Sequence, residues 1–487
     1  MGRSGRRARA FVIIAVLSAA GLLAVAAMPA AAATTVLTWR APTVLSDPAA
    51  GMWDPAIVVS PDGTITVAWA EMTGTGIYSR SSLDGGLTWG SVSTLYSGST
   101  SYGAVLTAAP DGSLIAAWHV ASPEYVLYSA VSADRGTTWG TPVQVTPLGQ
   151  SSYEPTIVVT ASNDYVISFM RDLGAGTYGT YRSVSTDQGA SWGPMGLLSG
   201  SDTDTPRIVE SATAGVLVAW AETNGGETDI VTRISPDEGM SWGFFEFHGD
   251  AGTIDTNPVL TVLADGTFLL AYDSEVAGVS AISLMSSTDG FSWSAPWTLP
   301  VVAGASSSDP VFSVAGSNVL AAWQTFAGAE GRVQTSLSTD GGHTWSVPVA
   351  HSDTGYDSFL PTIALRADGL AALLWTNFDG TEGTLGARTS WDSGRTWTTI
   401  PTPVVRLSSA TLVASDAGQI SAVLDADGAQ SPSVQFTALD LSLVTDPSLA
   451  NGGVEPGAAI VVGGLLVVVG AAAAATGYLR RHARALM

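Results

Sequence analysis

A Ser-x-Asp-x-Gly-x-Thr/Ser-Trp octapeptide returns about every fifty residues through most of this chain. It stands at Ser82–Trp89, Ser132–Trp139, Ser185–Trp192, Ser235–Trp242, Ser338–Trp345 and Ser390–Trp397, and one residue shorter at Ser287–Trp293. A fixed period of this size means one supersecondary unit repeated around an axis or along a solenoid. A repeat protein grows by adding small cores, so the 487 residues do not by themselves call for several domains.

The same signals precede each octapeptide: an apolar run opened by proline, a turn, a second apolar run ending in an aromatic, a Gly-rich loop, and a third alternating run. In the first copy these are Pro55–Val59, Pro61-Asp62-Gly63, Thr64–Trp69, Glu71–Gly76 and Ile77–Ser82. Short alternating runs separated by Asp-Gly turns are antiparallel strands joined by hairpins. A fourth short strand after the Trp completes a meander, A to D. Strand B ends in Trp69, Trp118, Phe169, Trp220, Tyr272, Trp323 and Trp375, a packing position with the same period. The expected fold is therefore an all-β propeller of four-stranded antiparallel blades.

Behind the last octapeptide, 410–414, 419–424 and 433–439 supply strands A, B and C of a further unit. Leu37-Thr38-Trp39-Arg40 matches Leu87-Thr88-Trp89-Gly90, so the N-terminal segment supplies its missing D strand and closes the ring. Pairing first and last strands replaces an exposed edge by a closed ladder. The count is eight blades, with seven as the alternative.

The octapeptide itself reads as a stabilised turn: Ser and Asp oxygens accept backbone N–H bonds, Gly permits positive φ, and Trp covers the turn with apolar area. These copies resemble the Asp-box, or bacterial neuraminidase (BNR) repeat, of sialidase-like propellers, over about residues 35 to 440. The resemblance implies fold more than activity, because in such families the box is a structural turn. Asp84, Asp134, Asp187, Asp237, Asp289, Asp340 and Asp392 are accordingly expected to be structural. Alternating strand direction puts boxes and A–B turns on one rim. Function belongs on the opposite rim, where strand A starts and strand B ends.

Sialidase chemistry, as the resemblance implies it, needs three arginines on the substrate carboxylate, a Tyr nucleophile with a Glu beside it, and an Asp acid. Bidentate guanidinium pairing is the reason for the arginines. One of them belongs to a Phe/Tyr-Arg-Ile-Pro motif opening an A strand. Two residues before the A-strand prolines this chain has Trp53, Tyr153, Asp204, Thr256, Ser308 and Phe359, so that arginine is missing. Arg171, Arg207 and Arg406 remain as candidates for the same rim, each with a competing role in an ion pair with an acid such as Asp172 or Asp204. Tyr356 with Asp357 is the nearest approach to a nucleophile pair. A ring of acceptors, Asp54, Glu154, Asp204, Asn257 and Asp309, stands beside the aromatics Trp53, Tyr102, Tyr153 and Phe359. Such a rim suits sugar rings, and its carboxylates suit Ca²⁺; the competing reading is that Asp before Pro caps a turn. The histidines lack metal spacing, so no zinc or other metal centre is expected.

The ends and the composition place the molecule. Residues 1–33 combine Arg3, Arg6, Arg7 and Arg9 with an apolar run and an Ala-rich end, the pattern of a signal peptide. Residues 34–442 hold the propeller and 443–456 a linker. Residues 457–479 are uncharged and long enough to cross a bilayer as one helix, and the basic tail 480–487 is expected in the cytoplasm. There is no cysteine and no lysine, and 42 acids outweigh 19 arginines. That balance repels nucleic acid and suits cations or neutral glycans. The expected molecule is a monomer displayed on the outer face of a membrane. Its partner is a surface glycan or an envelope protein, and it binds without catalysis; an exo-α-sialidase or other glycoside hydrolase is the alternative.

Overall fold

The computed structural model describes residues 33–47, 52–71, 76–121, 124–204, 206–301, 304–326, 328, 330–352, 355–402, 407–414, 419–427, 432–445, 460–462 and 465–467. The proposed signal peptide, the linker and the basic tail lie outside them, apart from the strand residues at their borders. Of 457–479 only Ile460–Val462 and Leu465–Val467 are described, paired as antiparallel strands. Among the described residues no helix is long and apolar enough to cross a membrane. Two compact parts are distinguished, the terminal segments 1–36 with 443–487 and the body 37–442.

The body is all-β, and its sheets repeat the A-B-C-D meander. In repeat 1 the strands are Met52–Val59, Ile65–Glu71, Gly76–Ser82 and Ser93–Ser97, hydrogen-bonded in that order. Repeats 2, 3, 6 and 7 have the same order, with strand A at Ser101–Ala108, Ser152–Val159, Ser306–Ala315 and Asp357–Leu365. Repeats 4 and 5 join in one sheet: Glu227–Ser235, strand C of repeat 4, touches Ile254–Val262, strand A of repeat 5, through the parallel pair Thr228 and Ile254. The last sheet takes Leu407–Ala414, Ile420–Asp427 and Pro432–Thr445 from one end of the chain and both Ala33–Trp39 and Thr43–Val44 from the other. The expected strand exchange between the chain ends is thus present. Arg40 N–H donates to Ala438 O at 2.9 Å, and the Arg40 guanidinium pairs with Asp440 at 2.6 Å.

Each A strand packs on the A strand of the next repeat, and Leu407–Ala414 packs on both Asp357–Leu365 and Met52–Val59. The A-strand ends Val59, Ala108, Val159, Val209, Val262 and Ala414 share one cavity of about 720 Å³. The repeated aromatics Trp69, Trp118, Phe169, Trp220, Tyr272, Trp323 and Trp375 are all buried. They lie in cores shared by neighbouring sheets, as where Ile65, Val67 and Trp69 meet Val423, Val434 and Phe436. A buried aromatic of this size supplies about 2–3 kcal/mol of apolar burial, which a lone four-stranded sheet has no second layer to obtain.

The boxes are turns with a second duty. In repeat 1 the Ser82 hydroxyl accepts the Gly86 N–H and donates to Asp84 Oδ1, both at 2.8 Å, while Asp84 accepts the Thr88 N–H and O–H. These donors hold the Asp84 carboxyl down at about 2. Box glycines also face the preceding sheet. A Cβ on Gly86 would enter the Phe436 ring, one on Gly239 would meet Val166, and one on Gly394 would meet Leu320. Side chains beside the box Asp reach the A–B turn of the preceding repeat: Arg135 pairs with Asp62 at 2.7 Å, and Glu238 accepts from Thr160 at 2.8 Å. Boxes and A–B turns therefore share a rim, and the boxes help to set the spacing of the sheets.

Candidate functional site at the rim opposite the boxes

At the other rim the A strands do not begin as simple capped turns. Ladder register shifts between Tyr102 and Val105, Tyr153 and Thr156, Thr256 and Val259, Ser308 and Val311, and Phe359 and Thr362. These are β-bulges. Gly103 sits in one with φ +62°, and the residues before proline in the others, Glu154, Asn257, Asp309 and Leu360, have φ between +48° and +54°. A bulge leaves its extra residue unpaired, so a proline beside it removes no ladder bond, and it re-aims the side chain before it. Holding a non-glycine residue in this region costs about 1 kcal/mol or more, a strain found preferentially at functional sites.

The bulges bring together two groups. The first is an aromatic belt across repeats 2 and 3. Tyr125 and Tyr153 have ring centroids 5.0 Å apart, Tyr153 and Tyr178 5.9 Å, Tyr102 and His119 5.6 Å, and His119 and Tyr125 5.5 Å. The four tyrosines are half-buried, whereas His119 is 8 % exposed and its Nδ1 has no hydrogen-bond partner. Burial pushes the His119 pKa down to about 4, so the ring is neutral. Gly103 leaves it room, because a Cβ there would stand 3.0 Å from His119 Cε1. A hollow of about 360 Å³ adjoins the belt, with Tyr178, Asp204 and Thr256 in its wall.

The second group spans repeats 5 and 6. Asn257 Nδ2 donates to Asp273 Oδ2 and to Asp309 Oδ1, each at 3.2 Å, and the Asp309 N–H reaches Asp273 Oδ2 at 3.3 Å. Asp273 is buried, and its Oδ1 has no partner. Desolvation, and to a lesser degree the charge of Asp309, push its pKa up to about 7 against the donated bonds. Asp309 is exposed. A carboxyl that burial holds well above the usual carboxylate range thus stands beside Asp309.

Of the arginine candidates, Arg171 is placed otherwise than a substrate clamp requires. Arg171 is 4 % exposed, and its guanidinium donates to Gln150 Oε1 at 3.0 Å, Ser152 Oγ at 3.2 Å and Pro147 O at 3.5 Å. Asp172, its expected partner, accepts the Gly174 N–H instead. Arg207 is half-buried; burial lowers its pKa while the carboxylates of Glu154 and Asp204 oppose the shift. Its ion-pair reading fits that field. Arg406 lies outside the described residues, as do the side chains of Trp53 and Asp54. Asp357 accepts the Gly331 N–H at 2.6 Å, a backbone tie across the sheet edge. Tyr356 and Phe359 are half-buried in repeat 7.

Sequence reasoning missed His119, Tyr125, Tyr178 and Asp273. His119 and Asp273 directly follow the repeated aromatic of strand B, where other repeats have Ala70, Met170, Gln324 and Thr376. Aligning that column would have exposed both.

The model of the BNR repeat-like domain family matches residues 28–245 and 216–431. The chain belongs to that family. No curated protein sequence matches it. Among solved structures it is similar to a polysaccharide lyase family PL25 ulvan lyase (11 % identity, 76 % of this chain and 100 % of that one, TM-score 0.46). Others are the intramolecular trans-sialidase of Ruminococcus gnavus (15 %, 70 % and 95 %, TM-score 0.38) and the NanB sialidase of Streptococcus pneumoniae (11 %, 77 % and 83 %, TM-score 0.37).

Proposed function

We propose that this BNR-repeat chain is an exported, membrane-anchored propeller of eight blades whose rim opposite the boxes binds carbohydrate without cleaving it. The cycle of A-strand contacts supports the blade count. Export and anchoring rest on the two apolar ends of the sequence. The observation that carries the function is the belt of Tyr102, Tyr125, Tyr153 and Tyr178 around a neutral His119. Aromatic faces pack on the C–H face of a pyranose, and Glu124, Glu154 and Asp204 offer acceptors to its hydroxyls. An excess of acid over base favours neutral glycans over anionic ones.

A second reading, hydrolysis, is favoured by Asp273 and Asp309. Their bridged oxygens lie no further apart than twice 3.2 Å. That fits direct attack by the second carboxylate better than the wider gap that admits a water. Asp273 would protonate the leaving oxygen while Asp309 attacks the anomeric carbon; water, giving a proton to Asp273, would then displace the Asp309 carboxylate from that carbon. Among the described residues no arginine acts on Asp273, so this reading too points to neutral sugars.

A glycan array probed with full-length protein in detergent, together with 4-methylumbelliferyl glycosides of neutral sugars and of sialic acid, separates these readings. Binding that falls at least tenfold in Tyr125→Ala or Tyr153→Ala, without turnover, is the expected result. Turnover lost in Asp273→Asn and Asp309→Asn establishes the second reading, and no binding to any glycan sinks the first.

A further inference from the structure

Repeats 4 and 5 are the pair whose sheets join through a backbone bridge, Thr228 with Ile254. In parallel register the next residue on each strand is an aspartate, Asp229 on strand C of repeat 4 and Asp255 on strand A of repeat 5. Their side chains converge: a Cβ added to Gly249 would run into both Asp229 Oδ1 and Asp255 Oδ2. The bare glycine is the floor of the space that the two carboxylates share.

Asp255 breaks the repeat pattern. Its register position carries Ser101, Ser152, Ser307 and Ser358 in repeats 2, 3, 6 and 7, all fully or almost fully buried. A serine buries a neutral hydroxyl there, and repeat 5 buries a carboxyl at 1 % exposure. Asp255 Oδ2 accepts from Thr253 Oγ1 at 2.9 Å, while Oδ1 is buried with no hydrogen-bond partner. An isolated buried carboxylate is costly, so it is protonated, paired or bound to a cation.

Among the described residues no ion pair reaches either carboxyl. The charges acting on Asp229 are those of Glu227 and Glu222, those acting on Asp255 are Asp229 and Asp250, and the hydroxyls of Ser274 and Thr253 are the neutral donors facing Asp255. On the strand behind, Tyr272 is pushed up to about 12 by burial and by Asp255 and Asp250. Among the described residues no arginine contributes to any of the three.

We infer that the joint between repeats 4 and 5 binds a hard divalent cation, calcium in an extracytoplasmic medium, between Asp229 and Asp255. All the donors are oxygens, which suits Ca²⁺ and disfavours softer metals. Among the described residues no three acidic or imidazole groups form a metal cage. The Thr253 hydroxyl, 2.9 Å from Asp255 Oδ2, and water would complete the shell. Two carboxylates and a partly open shell imply weak binding, in the range of extracellular modules, about 10⁻⁴ to 10⁻³ M. The cation ties two sheets together at the rim where the hollow beside Tyr178 opens.

The test is calorimetric titration of full-length protein with CaCl₂ after EDTA treatment, with thermal unfolding in CaCl₂ and in NaCl of equal ionic strength. Wild type is expected to show one saturable site and a raised unfolding midpoint in calcium. Asp255→Ser installs the residue of four other repeats, so it is expected to fold, to lose at least tenfold in affinity and to lose the calcium shift. Asp229→Asn is expected to do the same. A wild type with neither heat nor midpoint shift overturns the inference, as does an Asp255→Ser variant that keeps both. Neither result depends on glycan binding, so failure here is distinguishable from failure of the proposed function.

Discussion

Replacing Asp273 by Asn tests whether the rim holds a carboxyl that resists ionisation. In the folded protein its pKa is pushed up to about 7, chiefly by burial. The unfolded chain returns it to about 3.9. A raised carboxyl binds more protons in the folded state, so its contribution is fully present below about pH 4 and is lost as pH rises through about 7. Three units at about 1.4 kcal/mol each give about 4 kcal/mol, an upper figure because the group keeps some contact with water. Asn preserves the shape and an oxygen for the donors Asn257 Nδ2 and Asp309 N–H, and it does not ionise. Urea unfolding of wild type and Asp273→Asn in parallel, from about pH 4 to about pH 8, is the assay. The variant is expected to gain on the wild type by up to about 4 kcal/mol between about pH 4 and pH 7, with no further gain above. Taking the difference cancels His119, His248 and His351, whose depressed values titrate in the same window in both proteins. A difference that stays constant across the range refutes the reasoning.

Three further outcomes follow from the same geometry. Ser338→Ala leaves the buried Gly342 N–H without its 2.8 Å acceptor and is expected to cost about 1–3 kcal/mol in chemical unfolding while leaving glycan binding unchanged; a cost within error of zero would remove the structural account of the box. Gly86→Ala, at φ +80° and against the Phe436 ring, is expected to cost more than about 2 kcal/mol and to speed hydrogen exchange at Gln435–Ala438. Gly98→Ala, at φ +113° with open space around it, carries the backbone penalty alone and serves as its control. His119 is pushed down to about 4 by burial, so wild type loses stability as pH falls from about 6.5 towards 4; His119→Phe is expected to abolish about 2 kcal/mol of that loss between about pH 7 and pH 5, read as the change in melting temperature over that range.

Much of the fold was legible because the code for it is written seven times. The Ser, Asp and Gly of each box specify a local turn whose bonds lie within a few residues, and the strand-B aromatic marks a buried position at constant spacing. Local chemistry of that kind survives reading from sequence. The match of 37–40 to 87–90 showed the closing strand for the same reason, since a repeat predicts its own missing part. The site was less legible. Its geometry depends on bulges that turn Glu154, Asn257 and Asp309 into the left-handed region, against the extended preference of a residue before proline. Which side chains meet across repeats, as Tyr125 meets Tyr153 and Asn257 meets Asp309, depends on the angle between sheets, and no single repeat encodes that angle. Arg171 was illegible because charge spacing along the chain says nothing of depth: it braces Gln150 and Ser152 below the surface.

Quasi-symmetry gives these departures their meaning. Positions that all repeats share must serve what all repeats need, namely turns, spacing and a seam for the next sheet. Each repeat also pays the same entropy for its strands, so a costly residue in one repeat alone is not explained by folding. Repeat 5 carries two such residues on facing strands, Asp255 where four other repeats bury serine and Asp273 where repeats 1, 3, 4, 6 and 7 have Ala, Met, Ala, Gln and Thr, and each leaves a buried oxygen unpartnered. Repeat 2 carries a third, His119, with an orphan nitrogen beside the one bulge that uses glycine in place of a residue before proline. All three lie on the rim opposite the boxes. A rim under no constraint but stability would have repeated the cheaper residue, as the box rim does, and the asymmetry of these buried columns is therefore the strongest argument that the rim binds something.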